Sequence, residues 1–423
     1  MYTYFPAKYT ENSIRDLATR LIDEKLMALE DPVVITGIAR TPIGGFLGEL
    51  SSIEATELGS IAIAAALTRS GLNSDDVDEV IMGCVLPAGL GQAPARQASI
   101  AAGIKKSAGC TTVNKVCGSG MKAVMLAHDI LVANSAKVVI AGGMESMSNA
   151  PHFLPASRKG YRFGHSKIVD HMAFDGLEDA YEGEAMGVYA ESCADIYKFS
   201  RESQDSFAIE SLRRAQRAIE SGAFDNEIVP IEISHRGKLK TVRTDEQPLK
   251  AQFEKIPQLK PAFKKSGTVT AANASSISDG GAAVVLMRNS EALARGITPV
   301  AKIISHASHS QEPSEFTMAP IGAIEKLMDQ ANWKISEVDL FEINEAFAVV
   351  PMASMQTLGI DHAIVNINGG ACALGHPIGC SGTRIIVTLL SALQNNNLKR
   401  GVASLCIGGG EATALAVELS DVS

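Results

Sequence analysis

The chain is poor in aromatic residues and in positive charge, and it has no long apolar run. Phe, Trp and Tyr make up 5% of its 423 residues, and the formal net charge is −9. An acidic balance gives no overall attraction to nucleic acid or to an anionic membrane surface. No stretch approaches the roughly 18 uninterrupted apolar residues of a membrane-spanning helix. What remains is the composition of a globular enzyme, long enough for two or three domains.

The seven cysteines stand at irregular spacings that do not resemble a disulfide framework. Without a signal peptide ahead of them, we expect reduced thiols and a cytoplasmic protein. Residues 1–30 carry five acidic side chains, which is unlike a mitochondrial presequence. Ile14, Leu17 and Leu21 recur there at helical spacing and predict an amphipathic helix packed on the body or on a neighbour.

Apolar β-type runs alternate with helical patterns along the rest of the chain, which is typical of layered α/β folds. Five runs predict buried strands: Val33–Ile35, Val80–Met82, Val138–Ile140, Val284–Leu286 and Leu405–Ile407. Five longer segments predict helices: 56–70, 120–134, 201–221, 321–332 and 381–394.

A weak internal repeat divides the chain. Residues 71–80 resemble 332–341, and further along each half Ser119–Val124 resembles Ser381–Ile386. Each of these helices leads to a strand that ends in glycines. The shared order predicts two related α/β halves stacked in layers. The predicted parts are an N-terminal extension (1–31), a first half in two pieces (32–147 and 269–292), an inserted loop domain (148–268) and a second half (293–423).

The insertion is less regular than its surroundings, with three interrupting prolines and the basic segment Arg236–Lys240. Loops mounted on a rigid scaffold commonly carry ligand contacts. A basic loop on an acidic protein suits an anionic small ligand. A solvated surface charge run explains the same residues equally well.

Cys117 stands in a glycine-rich turn before a predicted helix. Gly118 and Gly120 would let a substrate approach the backbone closely. A thiol at a helix N-terminus feels the positive end of the helix dipole, which predicts a lowered pKa and a thiolate. A buried structural cysteine at a strand–helix turn explains the same local pattern.

The segment Gly118–Ala123 also satisfies the G-x-G-x-x-A pattern of dinucleotide-binding folds, and Glu145 closes the next strand as that pattern requires. A short glycine pattern is weak evidence. This interpretation also leaves Cys117, His376 and Cys406 without a role, so we do not favour it.

His376 lies in a second glycine-rich stretch, between Cys372 and Cys380. The three side chains are spaced like ligands on one helix face, but Pro377 and the glycines argue against a helix there. The spacing also matches no common zinc site, so no metal is predicted. A loop that holds His376 rigidly suits a general base, although a lone histidine is more often structural.

Cys406 and Asn344 each stand at the end of a predicted strand. Cys406 opens onto three glycines, whose N–H groups could point at one oxyanion. A tight turn with a core cysteine is the alternative. Asn344 could orient a water or hold an oxyanion without carrying charge. Capping the following helix is the more frequent role of an asparagine in this position.

Taken together, these motifs resemble the thiolase family. Four stretches match its sequence signatures in order: Asn114–Val124, Asn344–Ala348, Gly369–Gly382 and Cys406–Thr413. The resemblance runs from about residue 32 to the C-terminus, and its twofold-repeated α/β fold agrees with the repeat.

The resemblance implies a catalytic set of five residues. Cys117 would be the nucleophile that takes the acyl group from acyl-CoA as a thioester. His376 would activate Cys117 and help to form an oxyanion hole. Cys406 would be the acid/base that removes an α-proton from the second acetyl-CoA. Asn344 would hold a water in the first oxyanion hole, and the N–H groups of Cys117 and Gly408 would form the second.

The implied coenzyme A contacts come from the biosynthetic subgroup of the family, whose segment 175–180 is similar to the one here. Ala185 departs from the pattern, because several members of the subgroup have a histidine there. Five positions match residues that line the pocket: Leu177, Met186, Ser275, Ala346 and Phe347.

The resemblance implies an acyltransferase that condenses two acetyl-CoA reversibly to acetoacetyl-CoA and CoA. It implies no cofactor beyond the coenzyme A carried by the substrate, no nucleic-acid or membrane partner, and a homodimer or homotetramer. A broad-chain 3-ketoacyl-CoA thiolase is the alternative within the family. A related ketoacyl synthase would lack Cys406. A silent acyl-CoA-binding protein on the same fold would have lost one of Cys117, His376 and Cys406.

Overall fold

The computed structural model describes residues 31–235 and 237–420, and one mixed sheet of ten strands organises them. The helix predicted within residues 1–30 lies outside the described residues. Two further pairs, β6 with β7 and β8 with β9, form small separate sheets. In chain order the strands are β1 Val33–Arg40, β2 Gly44–Gly45, β3 Glu79–Gly83, β4 Gly109–Val113, β5 Val138–Ser146, β6 His152–Phe153, β7 Val169–Asp170, β8 Ile231–His235, β9 Lys238–Val242, β10 Ser278–Arg288, β11 Ala301–Ser310, β12 Leu340–Ile343, β13 Arg400–Ile407 and β14 Glu411–Leu419.

Eleven α-helices accompany the strands in the described part of the chain. None of them has the length and apolar character that crossing a lipid bilayer requires. They are α1 Ala55–Ser70, α2 Pro94–Ala101, α3 Ser119–Val132, α4 Met186–Tyr197, α5 Arg201–Glu220, α6 Glu246–Lys250, α7 Asn289–Ala294, α8 Ala319–Ala331, α9 Val349–Leu358, α10 Ala371–Leu374 and α11 Ile378–Asn395.

The two halves repeat the same strand order outward from the centre of the large sheet. β1 and β11 pair antiparallel there, with Val34 opposite Lys302. From β1 the order is β10, β5, β3 and β4, and from β11 it is β14, β13 and β12. In both directions the next two pairings are antiparallel and the third is parallel. The duplication predicted from the sequence is therefore confirmed.

Helices α3 and α11 pack against each other between the two halves of the sheet. Their side chains share one core with strands of both halves, including Val124, Ile385, Val284 and Leu405. Helix α1 covers the outer face of the first half, and α8 covers the outer face of the second. The result is five layers: outer helices, half-sheet, central helices, half-sheet and outer helices.

Glycine allows the two central helices to approach this closely. A Cβ added at Gly382 would lie 2.3 Å from the backbone nitrogen of Met121, and one added at Gly120 would lie 2.9 Å from the nitrogen of Thr383. Neither position has room for a larger residue without moving a helix. Gly120, which the dinucleotide interpretation would place against a phosphate, is therefore used for helix packing.

The predicted elements agree with the structure except at their ends. The five predicted strands lie within β1, β3, β5, β10 and β13, and the five predicted helices are α1, α3, α5, α8 and α11. Helix α11 begins three residues earlier than predicted, because Pro377 is its N-cap residue and loses no helical hydrogen bond there. The glycines expected at the end of β5 lie inside it instead: Gly142 and Gly143 face the backbones of Ala282 and Gly379.

The insertion contains the predicted helix α5 and is more regular than predicted only because it also contains helix α4. Its boundaries as a domain remain a prediction. Residues 237–240, the described part of its basic segment, lead into and belong to β9. In the small sheet of β8 and β9, the side chains of Ile231, Ile233 and Val242 pack against Leu50. Lys240 donates to Glu49 at 2.6 Å. Among the described residues, the basic segment contributes an ion pair at the surface.

A buried ion cluster ties the insertion to the central sheet. Arg40, at the end of β1, donates from Nε to Glu227 at 2.5 Å and from Nη1 to Asp245 at 2.7 Å. A second bond, from Nη2 to Asp245, makes that contact bidentate. All three side chains are inaccessible to solvent. A buried pair of this kind is costly to break, because removal of one partner leaves the other charge buried and unpaired.

We predict that Arg40→Met lowers the free energy of unfolding by about 3–5 kcal/mol, because it leaves the carboxylates of Glu227 and Asp245 buried without a cation. Chemical denaturation followed by circular dichroism measures the change. Lys240→Met is the matched control, because it breaks an exposed pair worth about 0–1 kcal/mol. Equal effects of the two substitutions would contradict the prediction.

Candidate active site

A cavity of about 500 Å³ lies where several chain segments meet. The start of α3 contributes Cys117, the break between α10 and α11 contributes His376, and the turn after β13 contributes Gly408. The insertion closes one side with residues 173–187 and with Ala262 and Phe263, and residues 270–277 of the first half continue that wall. All five predicted coenzyme A contacts line this cavity, as does Ala185: Leu177, Met186, Ser275, Ala346 and Phe347.

The turn that carries Cys117 is fixed by its own hydrogen bonds. Val116 adopts a left-handed backbone with φ of 45°, and its N–H donates to Asn114 Oδ1 at 2.9 Å. Ser119 Oγ accepts the N–H of Lys115 at 2.8 Å and donates to the carbonyl of Val116 at 2.6 Å. Together these bonds hold the strained residue and present the next residue, Cys117, to the cavity.

The expected thiolate at Cys117 is wrong for the protein without substrate. Enclosure by protein raises the pKa of this thiol to about 11, which outweighs the lowering by hydrogen bonds from the N–H groups of Gly408 and of Cys117 itself. A thiol with this pKa is protonated at neutral pH, so it needs a base at the moment of attack. The two N–H groups nevertheless converge on the sulfur, where they can also stabilise an oxyanion.

Cys406 is fully buried near the end of β13. Burial raises the pKa of its thiol well above the ordinary range, and the neighbouring Cys117 raises it further. The chain then turns through Gly409 and Gly410, whose φ values of 90° and 86° require glycine. This turn places the N–H of Gly408 at Cys117. The two cysteines therefore lie at one site, although they come from different halves.

His376 is held from both ends in the break between α10 and α11. Its backbone N–H donates to the carbonyl of Ser276 at 3.1 Å and to Ser278 Oγ at 3.2 Å. Its Nδ1 lies 2.5 Å from Ser381 Oγ, and that hydroxyl donates its own proton to the carbonyl of Pro377 at 2.9 Å. Since the hydroxyl proton is used, Nδ1 must be the donor of the shorter bond. The Nε2 lone pair is therefore free as a base.

Burial, and secondly the charge of Arg384, lowers the pKa of His376 to about 3. The imidazole is consequently neutral at physiological pH. A neutral imidazole can accept the proton of the Cys117 thiol, and it can donate that proton later.

Asn344 does not cap a helix, because α9 begins five residues later, at Val349. Its N–H donates to the carbonyl of Ser404 at 2.9 Å, and its Oδ1 accepts from Arg384 Nη2 at 3.4 Å. The amide nitrogen therefore faces His376 Nε2, at 3.5 Å. Asn344 and His376 border the same small space, and once Nε2 has taken a proton the two side chains form a pair of donors for one oxygen atom.

The residues that hold His376 and Asn344 in place were not identified from the sequence. Ser381 and Arg384 lie on the first two turns of α11, and Arg384 also lies 3.6 Å from the buried Glu342. Ser381 stands in a signature motif and Arg384 in a helical pattern. Small and polar residues are common in such stretches, so neither residue stood out in the sequence. Only the position of Ser381 five residues after His376 offered a signal, and that spacing is too common to interpret.

The remaining candidates do not act together at the cavity. Cys372 Sγ contacts the carbonyl of Glu345 at 3.7 Å, and Cys380 is buried within α11. Among the described residues they form no ligand group with His376. Glu145 is buried and accepts three backbone N–H groups, one of them from Gly379 at 2.8 Å. It therefore stabilises the start of α11 and does not reach the cavity as a ribose ligand would.

Two models of known protein families match this chain. The model of the thiolase N-terminal domain matches residues 33–290, and that of the thiolase C-terminal domain matches residues 297–419. The chain belongs to the thiolase family. The predicted family and fold class are thus confirmed.

Named relatives align with almost the whole length of this thiolase. A probable acetyl-CoA acetyltransferase of Dictyostelium discoideum is 51% identical over 92% of this chain and 94% of its own length. Acetyl-CoA acetyltransferase 2 of Arabidopsis thaliana is 53% identical over 92% of this chain and 97% of its own. A crystal structure of a thiolase from Ascaris suum in complex with coenzyme A superposes with a TM-score of 0.87 at 43% identity, over 92% of this chain and all of that one.

We predict that Ser381→Ala lowers the rate of Cys117 acylation about 10-fold or more, because it removes the acceptor that holds His376 in the Nδ1–H form. Rapid-quench measurement of acyl-enzyme formation with acetyl-CoA tests this. Ser391→Ala is the matched control, since Ser391 is also buried in α11 and its hydroxyl has no hydrogen-bond partner among the described residues. The same loss in both variants would indicate a packing effect instead.

Proposed function

We propose that this thiolase condenses two molecules of acetyl-CoA to acetoacetyl-CoA and CoA, and catalyses the reverse cleavage, through a thioester on Cys117. The observation that carries the proposal is the convergence of Cys117, a neutral His376 and the N–H of Gly408 on one cavity, with Cys406 buried next to Cys117. The names of the relatives in Dictyostelium and Arabidopsis support the choice of acetyl-CoA.

Acyl transfer begins with Cys117. Its thiol loses its proton to His376 Nε2 as the sulfur attacks the thioester carbon of the first acetyl-CoA. The N–H groups of Cys117 and Gly408 stabilise the oxyanion of the tetrahedral intermediate. The carbon–sulfur bond to CoA breaks, and CoA leaves as a thiol with the proton of Cys406. The products are acetyl-Cys117, a protonated His376 and a Cys406 thiolate.

The carbon–carbon bond forms in the second half-reaction. The Cys406 thiolate removes an α-proton from the second acetyl-CoA, and its high pKa makes it a strong base for that carbon. Protonated His376 and a water held by Asn344 stabilise the enolate oxygen. The carbanion attacks acetyl-Cys117, and Cys117 leaves and recovers its proton from His376. The steps are proton and acyl transfers, so the proposal includes no cofactor beyond the coenzyme A of the substrate.

The mouth of the cavity suits the pantetheine arm of coenzyme A. It combines apolar side chains with the small residues Ser275 and Ala346, and Phe263 and Phe347 meet edge to face at one side. Such a lining suits a long, flexible and largely apolar chain. We assign Leu177, Met186 and Phe347 to contact it. The side chain of Ala185, in this part of the wall, is smaller than the histidine that several biosynthetic relatives have at this position.

We further propose a cytoplasmic homodimer or homotetramer with no nucleic-acid or membrane partner. A relative from Gibberella zeae, 46% identical over 93% of this chain, is named a cytosolic acetyl-CoA acetyltransferase. The net charge of −9 supports the absence of an anionic polymer as partner. Light scattering of the purified chain and fractionation of the source cells test the two statements separately.

We predict that Cys117→Ser abolishes formation of the acyl-enzyme and that Cys406→Ala still forms it but makes no acetoacetyl-CoA. Cys117 alone forms the thioester, and without the Cys406 proton CoA still leaves, more slowly, as a thiolate, whereas Cys406 alone deprotonates the α-carbon. Intact-protein mass spectrometry after incubation with acetyl-CoA measures the first, and product analysis measures the second. Cys110→Ser, outside the cavity, is the control and should resemble the native enzyme. Native-rate condensation by Cys117→Ser would show that the nucleophile is assigned wrongly.

We predict that thiolysis of 3-ketoacyl-CoA substrates is fastest with four carbons and falls steeply towards sixteen. Steady-state kcat/KM across the series measures this selectivity. A flat profile would favour the alternative, a broad-chain 3-ketoacyl-CoA thiolase. Binding of every substrate without any turnover would instead favour a silent acyl-CoA-binding protein.

A further inference from the structure

Three metal-ligating side chains meet at the seam between the two halves of the fold. His128 and Asp129 lie on the last two turns of α3, in the first half, and His306 lies on β11, in the second. Their ligand atoms form a small triangle. His128 Nδ1 to Asp129 Oδ1 is 3.1 Å, His306 Nε2 to the same oxygen is 2.9 Å, and the two nitrogens are 3.2 Å apart.

Protons alone do not satisfy this triangle. Each neutral imidazole nitrogen carries either a proton or a lone pair, and an ionised carboxylate oxygen only accepts. If both nitrogens donate to Asp129, the contact between them sets one N–H against another. If one nitrogen gives up its proton to accept from the other, its lone pair faces the carboxylate oxygen. Hence one of the three short contacts is always unfavourable.

A cation at the centre satisfies all three contacts at once. Bonds of about 2.0–2.1 Å to nitrogen and oxygen ligands place neighbouring ligand atoms about 2.9 Å apart in octahedral geometry and about 3.3 Å apart in tetrahedral geometry. The observed separations of 2.9, 3.1 and 3.2 Å lie between these limits. The ligands already stand where a metal would hold them.

We propose that His128, Asp129 and His306 form a binding site for a divalent transition-metal ion, with Zn²⁺ as the first candidate. Two imidazoles and one carboxylate are a ligand set for Zn²⁺, Co²⁺, Ni²⁺ or Fe²⁺ and a poor one for Ca²⁺ or Mg²⁺. The carboxylate is about half exposed, so solvent supplies the remaining ligands. Among the described residues this is the only such group of His, Cys, Asp and Glu.

The site is separate from the catalytic cavity and joins the two halves. Cys117 stands just before the start of α3. His128 lies about 14 Å from that start along the helix axis, at a rise of about 1.5 Å per residue. A bound ion would link α3 of the first half directly to β11 of the second. Since the folded protein would bind it and the unfolded chain would not present this triangle, the ion stabilises the native fold.

Isothermal titration of the purified full-length protein with Zn²⁺, after removal of metal with a chelator, tests the site. We expect one bound equivalent that is lost, or weakened at least 10-fold, in His306→Ala and in the near-isosteric Asp129→Asn. His165→Ala, which changes an exposed histidine elsewhere, should bind like the native protein. Zn²⁺ should raise the unfolding temperature of the native protein and not that of the His306→Ala variant.

Co²⁺ absorption separates this site from the cysteines of the cavity. A site of two nitrogens and one oxygen gives weak d–d bands without thiolate-to-cobalt charge transfer, and these bands should disappear in Asp129→Asn. Unchanged Zn²⁺ affinity in both folded variants would overturn the proposal. So would a Co²⁺ spectrum that shows thiolate ligation alone.

Discussion

The contact between the two central helices is the constraint on which the active site depends. Helices α3 and α11 start close together, and glycines at 120 and 382 let their first turns touch backbone to backbone. Cys117 immediately precedes one helix, and His376 precedes the other. A side chain at either glycine would separate the helices, and the proposed nucleophile Cys117 and its proposed base His376 would move apart with them. General-base catalysis depends on hydrogen-bond reach, so helix packing and chemistry are here the same requirement.

Burial sets the protonation states at the same place. Enclosure by protein disfavours charge on Cys117, Cys406 and His376 alike, so the resting site holds two thiols and a neutral imidazole. In the proposed reaction charge appears only when substrate arrives, and fixed N–H groups and the Ser381 oxygen already stand where they stabilise it. This arrangement avoids the cost of a permanent buried ion pair. It also explains why the dipole of α3 alone does not produce a thiolate.

Much of this could be predicted from the sequence, and the failures have physical causes. Strands and central helices followed from hydrophobic periodicity, and the repeat gave the duplicated architecture. The proposed catalytic residues Cys117, His376 and Cys406 stood out because each lies in a glycine-rich motif. Ser381 had no such signal, because its contact with His376 depends on how the chain enters helix α11. The lowered pKa expected for the Cys117 thiol was wrong, because the burial that raises this pKa arises only when the layers assemble. His128 and His306 stand 178 residues apart, and only the pairing of the halves brings them together.

Duplication explains how one fold supplies two unlike thiols. The related strands β5 and β13 occupy the same place in their half-sheets, but β5 carries Glu145 near its end and β13 carries Cys406. Glu145 accepts the N–H of Gly379 and so stabilises the start of α11, which positions His376. Cys406 instead lies buried next to Cys117. One half therefore supports the helix that carries the base, and the other half supplies the second thiol. Neither half contains a complete site, so the reaction requires both halves and the interface between them.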